Sequence, residues 1–259
     1  MTTIPKFLFS AFLLVPLSFS AAQEQREPLH APDGATIERF ASISIPAMAN
    51  APFTANVNTQ WVRHLADGSN ITLISHRAIA RDAEGRVFEE RRMFVPDDGK
   101  HEAVAYQIEI SDPVAHVQYV CRVSGHACRL MQFAGRKFAG GAAAGQAPGQ
   151  TVENLGNQVV SGLDTVGSRE TRILQTATIG NEAPILERRE FWYSPKLGIN
   201  LITRREDPRF STQQNFEVTD IALGDPDAKL FAPPDGFKII DLRTPPETTA
   251  PAGDSPSRN

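Results

Sequence analysis

The sequence predicts a mainly β fold: a single curved antiparallel sheet, or open half-barrel, with at most one or two short helices. Three observations predict it. Apolar and polar residues alternate with a period of two in many short runs, Gly, Asp, Asn and Pro separate those runs, and no long stretch keeps a helical period. The chain has 259 residues, 41% of them hydrophobic, with 18 Gly and 19 Pro, enough for one good-sized core. A net charge of −4 and only two cysteines exclude a polybasic nucleic-acid binder and a disulfide-dense miniprotein.

Residues 1–22 read as a secretory signal peptide. Lys6 precedes the apolar run Phe7–Phe19, and small residues Ser20-Ala21-Ala22 follow before polar Gln23-Glu24. The run is shorter than the roughly 20 residues a spanning helix needs, and Pro16 interrupts it. The expected address is therefore export, periplasmic or extracellular, with no transmembrane helix after signal cleavage. Residues 23–50 are polar and dotted with proline, which suggests a flexible lead-in; Ala35 to Ser44 is a weak candidate for a short helix.

The strand pattern begins at Phe53, and the β domain is expected to span residues 51–243. Phe53, Ala55, Val57, Trp61 and Leu65 alternate with polar neighbours, and Asp67-Gly68 signals a hairpin that returns through Ser69 to Arg81. A two-residue turn there sets His64 opposite Ile71 and His76 opposite Thr59. The third strand, Arg86 to Val95, carries the charge run Arg86, Glu89, Glu90, Arg91 and Arg92, which reads as one solvated face. In the fourth, Val104, Tyr106, Ile108 and Ile110 alternate with Ala105, Gln107, Glu109 and Ser111, and Asp112-Pro113 ends it.

Cys121 and Cys128 flank a turn at Ser124-Gly125. A hairpin there sets the two thiols opposite each other in disulfide reach, as expected in an oxidising compartment. Residues 134–151 are Gly- and Ala-rich and read as a flexible loop. Further strands are expected at Asn157–Gly162, Ser168–Ile179, Leu186–Tyr193, Ile199–Arg205 and around Phe216–Ile221. From Thr244 the tail is Pro, Thr, Ser and Gly, and residues 244–259 read as disordered.

The chemistry-bearing residues do not assemble into a catalytic pattern. Six histidines are scattered, adjacent acidic pairs such as Glu89-Glu90 point to opposite sides of a strand, and no nucleophile elbow, phosphate loop or dinucleotide fingerprint occurs. No catalytic residue, metal ligand or cofactor is assigned, and the chain reads as non-enzymatic. Of the strand aromatics, Trp61, Tyr106, Tyr119 and Trp192 are the candidate apolar lining of a concave face; core packing is the plainer alternative.

The run from Phe191 to Arg209, the segments Leu155–Gly162 and Gly167-Ser168-Arg169, and the closing Pro226-Asp227-Ala228-Lys229-Leu230-Phe231-Ala232-Pro233-Pro234-Asp235-Gly236-Phe237 resemble a set of uncharacterised exported bacterial proteins. The closing motif is similar to the end of LolA-type periplasmic domains, which include lipoprotein carriers and envelope-stress regulators. That resemblance implies an open half-barrel with a hydrophobic concave side over roughly residues 50–243. The chain departs from it in the 134–151 insertion and in its scarcity of helices, and no functional residue of the group matches a position here. Two functions are expected from the whole reading: an exported β domain binding an apolar or amphipathic, lipid-like ligand in the cell envelope, or a protein-interaction or structural domain of an envelope complex with no small ligand. Neither reading fixes the oligomeric state.

Overall fold

We describe the fold from a computed structural model, in residues 43–133, 135 and 149–243. The signal-peptide segment, most of the lead-in and Gly/Ala-rich loop, and the tail from Thr244 lie outside the described residues. Alternating side chains and Gly/Asp turns give long strands: β1 (Phe53–His64), β2 (Asn70–Arg81), β3 (Val87–Arg92), β4 (Val95–Pro96), β5 (Ala105–Asp112), β6 (Val117–Arg122) and β7 (Ala127–Gln132). The second half supplies β8 (Gln150–Val160), β9 (Leu163–Leu174), β10 (Ile185–Ser194), β11 (Ile199–Asp207), β12 (Thr212–Leu223) and β13 (Lys238–Asp241). No α-helix occurs among the described residues; Pro208–Phe210 and Ala228–Phe231 are single 3-10 turns.

All thirteen strands form one open, curved sheet in the order β13-β7-β6-β5-β3-β2-β1-β12-β11-β10-β9-β8, with β4 beside β2. Every pairing is antiparallel except the last, in which β13 runs parallel to β7. That strand was not expected from the sequence. It forms because the chain after β12 crosses the outer side of the sheet, seats Phe231 against Ala80, Phe88 and Ile110, and then reaches the β7 edge. β1 sits centrally and pairs with β2 and with β12, a contact between residues about 160 apart in sequence that closes the two halves into one sheet.

Local departures from regular pairing decide which side chains face which way, and three of them bear on the site. In the first hairpin the register is His64 with Asn70 and Asn58 with His76, one residue from the expected pairing. Asp67-Gly68 does not make a two-residue turn; Leu65 pairs with Ser69 and Gly68 takes φ +83°, so the loop has three residues with glycine in the left-handed position. In β5 the partner of Arg91 is Gln107 and that of Arg92 is Ala105, so Tyr106 is an inserted residue. Such a bulge puts Tyr106 on the same side as Gln107 rather than the opposite side. A third irregularity, at Leu201, falls where the start of β11, Ile199–Leu201, is unpaired with β12.

The inner side of the sheet holds the main core: Phe53, Ala55, Val57, Ile79, Val87, Phe216 and Val218 from the central strands, with Leu197 from the β10–β11 turn and Ile199 from the start of β11. Ile43 and Ile45 pack onto this core and are almost fully buried. The last eight residues of the expected lead-in, 43–50, thus form a strap closing one end of the inner side. Arg81 holds it: Nε donates to Ala51 O at 2.9 Å, Nη1 to Pro46 O at 3.0 Å and Nη2 to Leu197 O at 2.6 Å. Arg77 adds a bond from Nη2 to Ile43 O at 3.1 Å. The Cys121–Cys128 disulfide forms at the directly paired position expected for it.

Candidate functional site

The open end of the inner side, away from the strap, is built from the His64 half of β1 and its neighbours. Trp61 stands there between Leu73 of β2 and Gln214 of β12. Tyr106, turned inward by the bulge, lies under Arg122, whose guanidinium carbon is 5.8 Å from the ring centroid. The other two residues of the expected lining lie elsewhere. Tyr119 pairs with Ile110 and packs against the Phe88–Phe231 cluster on the outer side. Trp192 points away from its buried neighbour Phe191, and its ring rests on Gly167, where an added Cβ would stand 2.6 Å from the indole. Its Nε1 donates to Glu190 Oε1 at 3.1 Å. Strand alternation sets both residues on the side opposite Trp61, although Trp192 also packs against the main core cluster.

Between Trp61 and Tyr106 the inner wall is ionic. Arg77 Nη1 lies 3.9 Å from Glu89, which pairs with Arg91 at 3.2 Å; Arg91 Nε donates to Glu109 at 3.1 Å, and Gln107 Nε2 donates to Glu109 at 2.7 Å. Every member is largely buried. Burial pulls the Arg77 pKa below the ordinary arginine range, and the Glu89 charge opposes that pull. Burial also lowers Arg81 to about 10, because its partners are neutral carbonyls. The charge run of β3 is therefore shared between two sides rather than lying on one solvated face. Glu89 and Arg91 look inward, while Glu90 and Arg92 pair on the other side at 2.8 Å.

Beyond β12 the wall continues in the same style. Arg205 lies over the Phe216 ring at 5.4 Å, Arg189 pairs with Glu170 at 2.9 Å, and Glu187 takes both Arg172 and Arg209. The hydroxyls of Ser168 and Thr203, either side of Phe191, are buried and have no hydrogen-bond partner among the described residues. The inner side is thus apolar and filled by its own side chains at the strap end, and charged with scattered aromatics at the mouth. Sequence reasoning missed this wall. The available signal was opposite charge at spacing two, Glu89/Arg91 and Glu90/Arg92, which in a strand makes an ion pair on each side.

The wall offers ionic and hydrogen-bonding contacts. Among the described residues no three His, Cys, Asp or Glu side chains gather as a metal site, and no helix is long and apolar enough to cross a membrane.

No family model matches the chain, and no curated protein matches it in sequence. Similar solved structures include the MucA/MucB complex of Pseudomonas aeruginosa, at 15% identity and TM-score 0.38 over 72% of this chain and 58% of that one. An uncharacterised conserved protein from Thermus thermophilus matches at 9% identity and TM-score 0.38, over 74% of this chain and 90% of that one. A LolA superfamily protein from Nitrosomonas europaea matches at 12% identity and TM-score 0.27, over 71% of this chain and 91% of that one. The chain spans little more than half of the MucB chain it matches. At these scores the function is read from the residues of this chain alone.

Proposed function

We propose that the chain is an exported, non-enzymatic binding domain of the cell envelope whose inner side takes an amphipathic, lipid-like ligand at its open end. One observation supports this reading above the others: a single wall changes from sealed and apolar at the strap to a buried ionic network flanked by exposed Tyr106 and Arg122 at the mouth. A purely apolar ligand is disfavoured, because Ile43, Ile45 and the central core already fill the apolar end. An amphipathic molecule fits better, its apolar part against Trp61, Leu73 and Tyr106 and its polar head on Arg122, which stacks on Tyr106 at the exposed end of the wall. Lipid extraction of the purified full chain followed by mass spectrometry, with displacement of a fluorescent fatty-acid probe, tests it. A Trp61→Ala variant is expected to weaken probe binding about tenfold. A protein that carries no lipid and ignores the probe overturns the reading.

A second reading, a protein-interaction domain, is favoured by the free edges of the sheet. β8 is an eleven-residue outer strand with no further strand beside it among the described residues, and such an edge accepts an added strand from a partner. Pull-down from envelope extract with and without a competing peptide of residues 150–160 separates the two readings: loss of a partner to the peptide, with no lipid on the protein, supports the second.

A further inference from the structure

Strand register brings three cations together on the inner side of the sheet, at its mouth. Across β6, β7 and β13 the paired residues Arg122, Ala127 and Lys238 form one row, and directly paired residues project to the same side of a sheet. Arg129 lies two residues along β7 from Ala127 and shares that side. Neighbouring strands stand about 4.8 Å apart, so Arg122 and Lys238 flank Ala127 with their backbones about 10 Å from each other. Arg129 completes a triangle, about 7 Å along the strand from Ala127. All three basic side chains are exposed, and the residue between them carries only a methyl group, which leaves room over it for a ligand.

The triangle holds no countercharge. Arg122 stacks on Tyr106, and neither it nor Arg129 nor Lys238 makes an ion pair among the described residues. Glu109, on the same side of β5, is taken by Arg91 at 3.1 Å and Gln107 at 2.7 Å. Asp241 of β13 alternates to the outer side, where Arg243 Nε donates to it at 2.9 Å. Glu102 and Asp235 lie in the segments that lead into β5 and β13, outside the register that sets the three cations. Farther along the inner wall arginine is matched by glutamate, as in Arg91–Glu109 and Arg189–Glu170. This corner is left positive in a chain whose net charge is −4. Apolar groups adjoin it on the same side: Val120 and Ile240 are the partners of Arg129 in β6 and β13, and Tyr106 lies under Arg122.

We propose that Arg122, Arg129 and Lys238 form an anion subsite around Ala127 that takes the phosphate headgroup of an amphipathic ligand. The proposal rests on the reading that the inner side binds an amphiphile, and it names the chemical class of the head. Two guanidiniums and one ammonium present donors only, and phosphate oxygens accept from them in charge-assisted hydrogen bonds. A carboxylate brings two oxygens and one charge, and so satisfies fewer of these donors. A neutral sugar head leaves all three charges unmatched. Val120, Ile240 and Tyr106 then meet the first carbons of the ligand's apolar chain.

The test is isothermal titration calorimetry of the full chain with three probes: dodecyl phosphate, dodecyl maltoside (the same tail with a neutral head) and inorganic phosphate. Both detergents are kept below their micelle concentrations. Wild type is expected to bind dodecyl phosphate about tenfold tighter than dodecyl maltoside, with the gap narrowing several-fold at high salt. Inorganic phosphate is expected to bind about tenfold or more weakly than dodecyl phosphate, because it lacks the tail. Arg129→Gln with Lys238→Gln should erase the preference for the phosphate head and leave dodecyl maltoside binding unchanged. Lys196→Gln with Lys229→Gln removes two exposed lysines outside this corner and should keep the preference. Circular dichroism melts check that both variants fold. Equal affinity of wild type for the two detergents, or an equal effect of the two variants, overturns the anion subsite and leaves the amphiphile reading standing. Binding of neither detergent overturns both. Inorganic phosphate bound as tightly as dodecyl phosphate means a site for free phosphate and overturns the headgroup assignment.

Discussion

Arg81 shows how one buried charge fixes the position of a remote segment. Its guanidinium is fully buried, rests on the Phe53 ring at 5.1 Å, and donates to carbonyls from the strap and from the β10–β11 turn. Replacing it with Met would leave three buried carbonyls without donors. We expect Arg81→Met to lose about 3 kcal/mol or more in urea unfolding; a loss below about 1 kcal/mol would mean the strap holds without the clamp. Glu190 makes a pH prediction. Burial tends to raise its pKa, but hydrogen bonds from Trp192 and Arg169 and the charge of Arg204 outweigh that and hold it below the ordinary 4.5. A depressed carboxylate stabilises the fold above its unfolded pKa and loses that contribution as pH falls through its folded value. Glu190→Gln should therefore be less stable than wild type at neutral pH by about 1 kcal/mol or less, given the site's exposure. The difference should shrink as melts are taken from pH 5 down to about 3. For the disulfide, Cys121→Ser is expected to lower the melting temperature without reductant, by about 2–3 kcal/mol of stability. Wild type in reductant should match it, and an equal gap between the two proteins under reduction would contradict a native bridge.

The β8–β9–β10 layer depends on the close approach of Trp192 to Gly167. A methyl group at 167 would meet the indole at 2.6 Å and Leu155 at 2.9 Å, too close without movement. We predict that Gly167→Ala destabilises by about 2 kcal/mol and shifts Trp192 emission to longer wavelength, read in a Trp61→Phe background. Unchanged emission and stability would show that the layer adjusts freely. The hairpins show what a sequence reveals about elements. Gly68, Asp67 and the alternation either side of them announced a turn, yet a loop one residue longer moved the pairing by one position. Turn chemistry marks where a strand reverses; register also depends on how many residues the loop takes up. The Tyr106 bulge is a similar case. Its alternating context put it with Ile108 and Ile110, and one inserted residue moved it to the side of Gln107 and Glu109.

Across the whole molecule, the sheet is closed at one end by the strap and left open at the other. Ile43→Asp with Ile45→Asp places two carboxylates against the Phe53–Val218 core, and we expect about 4 kcal/mol of destabilisation, with faster amide hydrogen exchange in β1 and β2. If only the strap exchanges faster, it is a separable cover rather than part of the core. By itself the sequence determined the β class, most of the strands and turns, and the partnership of Cys121 with Cys128, because period-two patterning and turn residues act over a few neighbours. Tertiary structure alone decided which charges of the β3 run look inward, that Tyr119 and Trp192 stand apart from Trp61, that residues 43–50 belong to the core, and that Lys238–Asp241 adds a parallel strand. Those outcomes depend on bulges that reset alternation and on contacts between segments far apart along the chain, which no local pattern encodes.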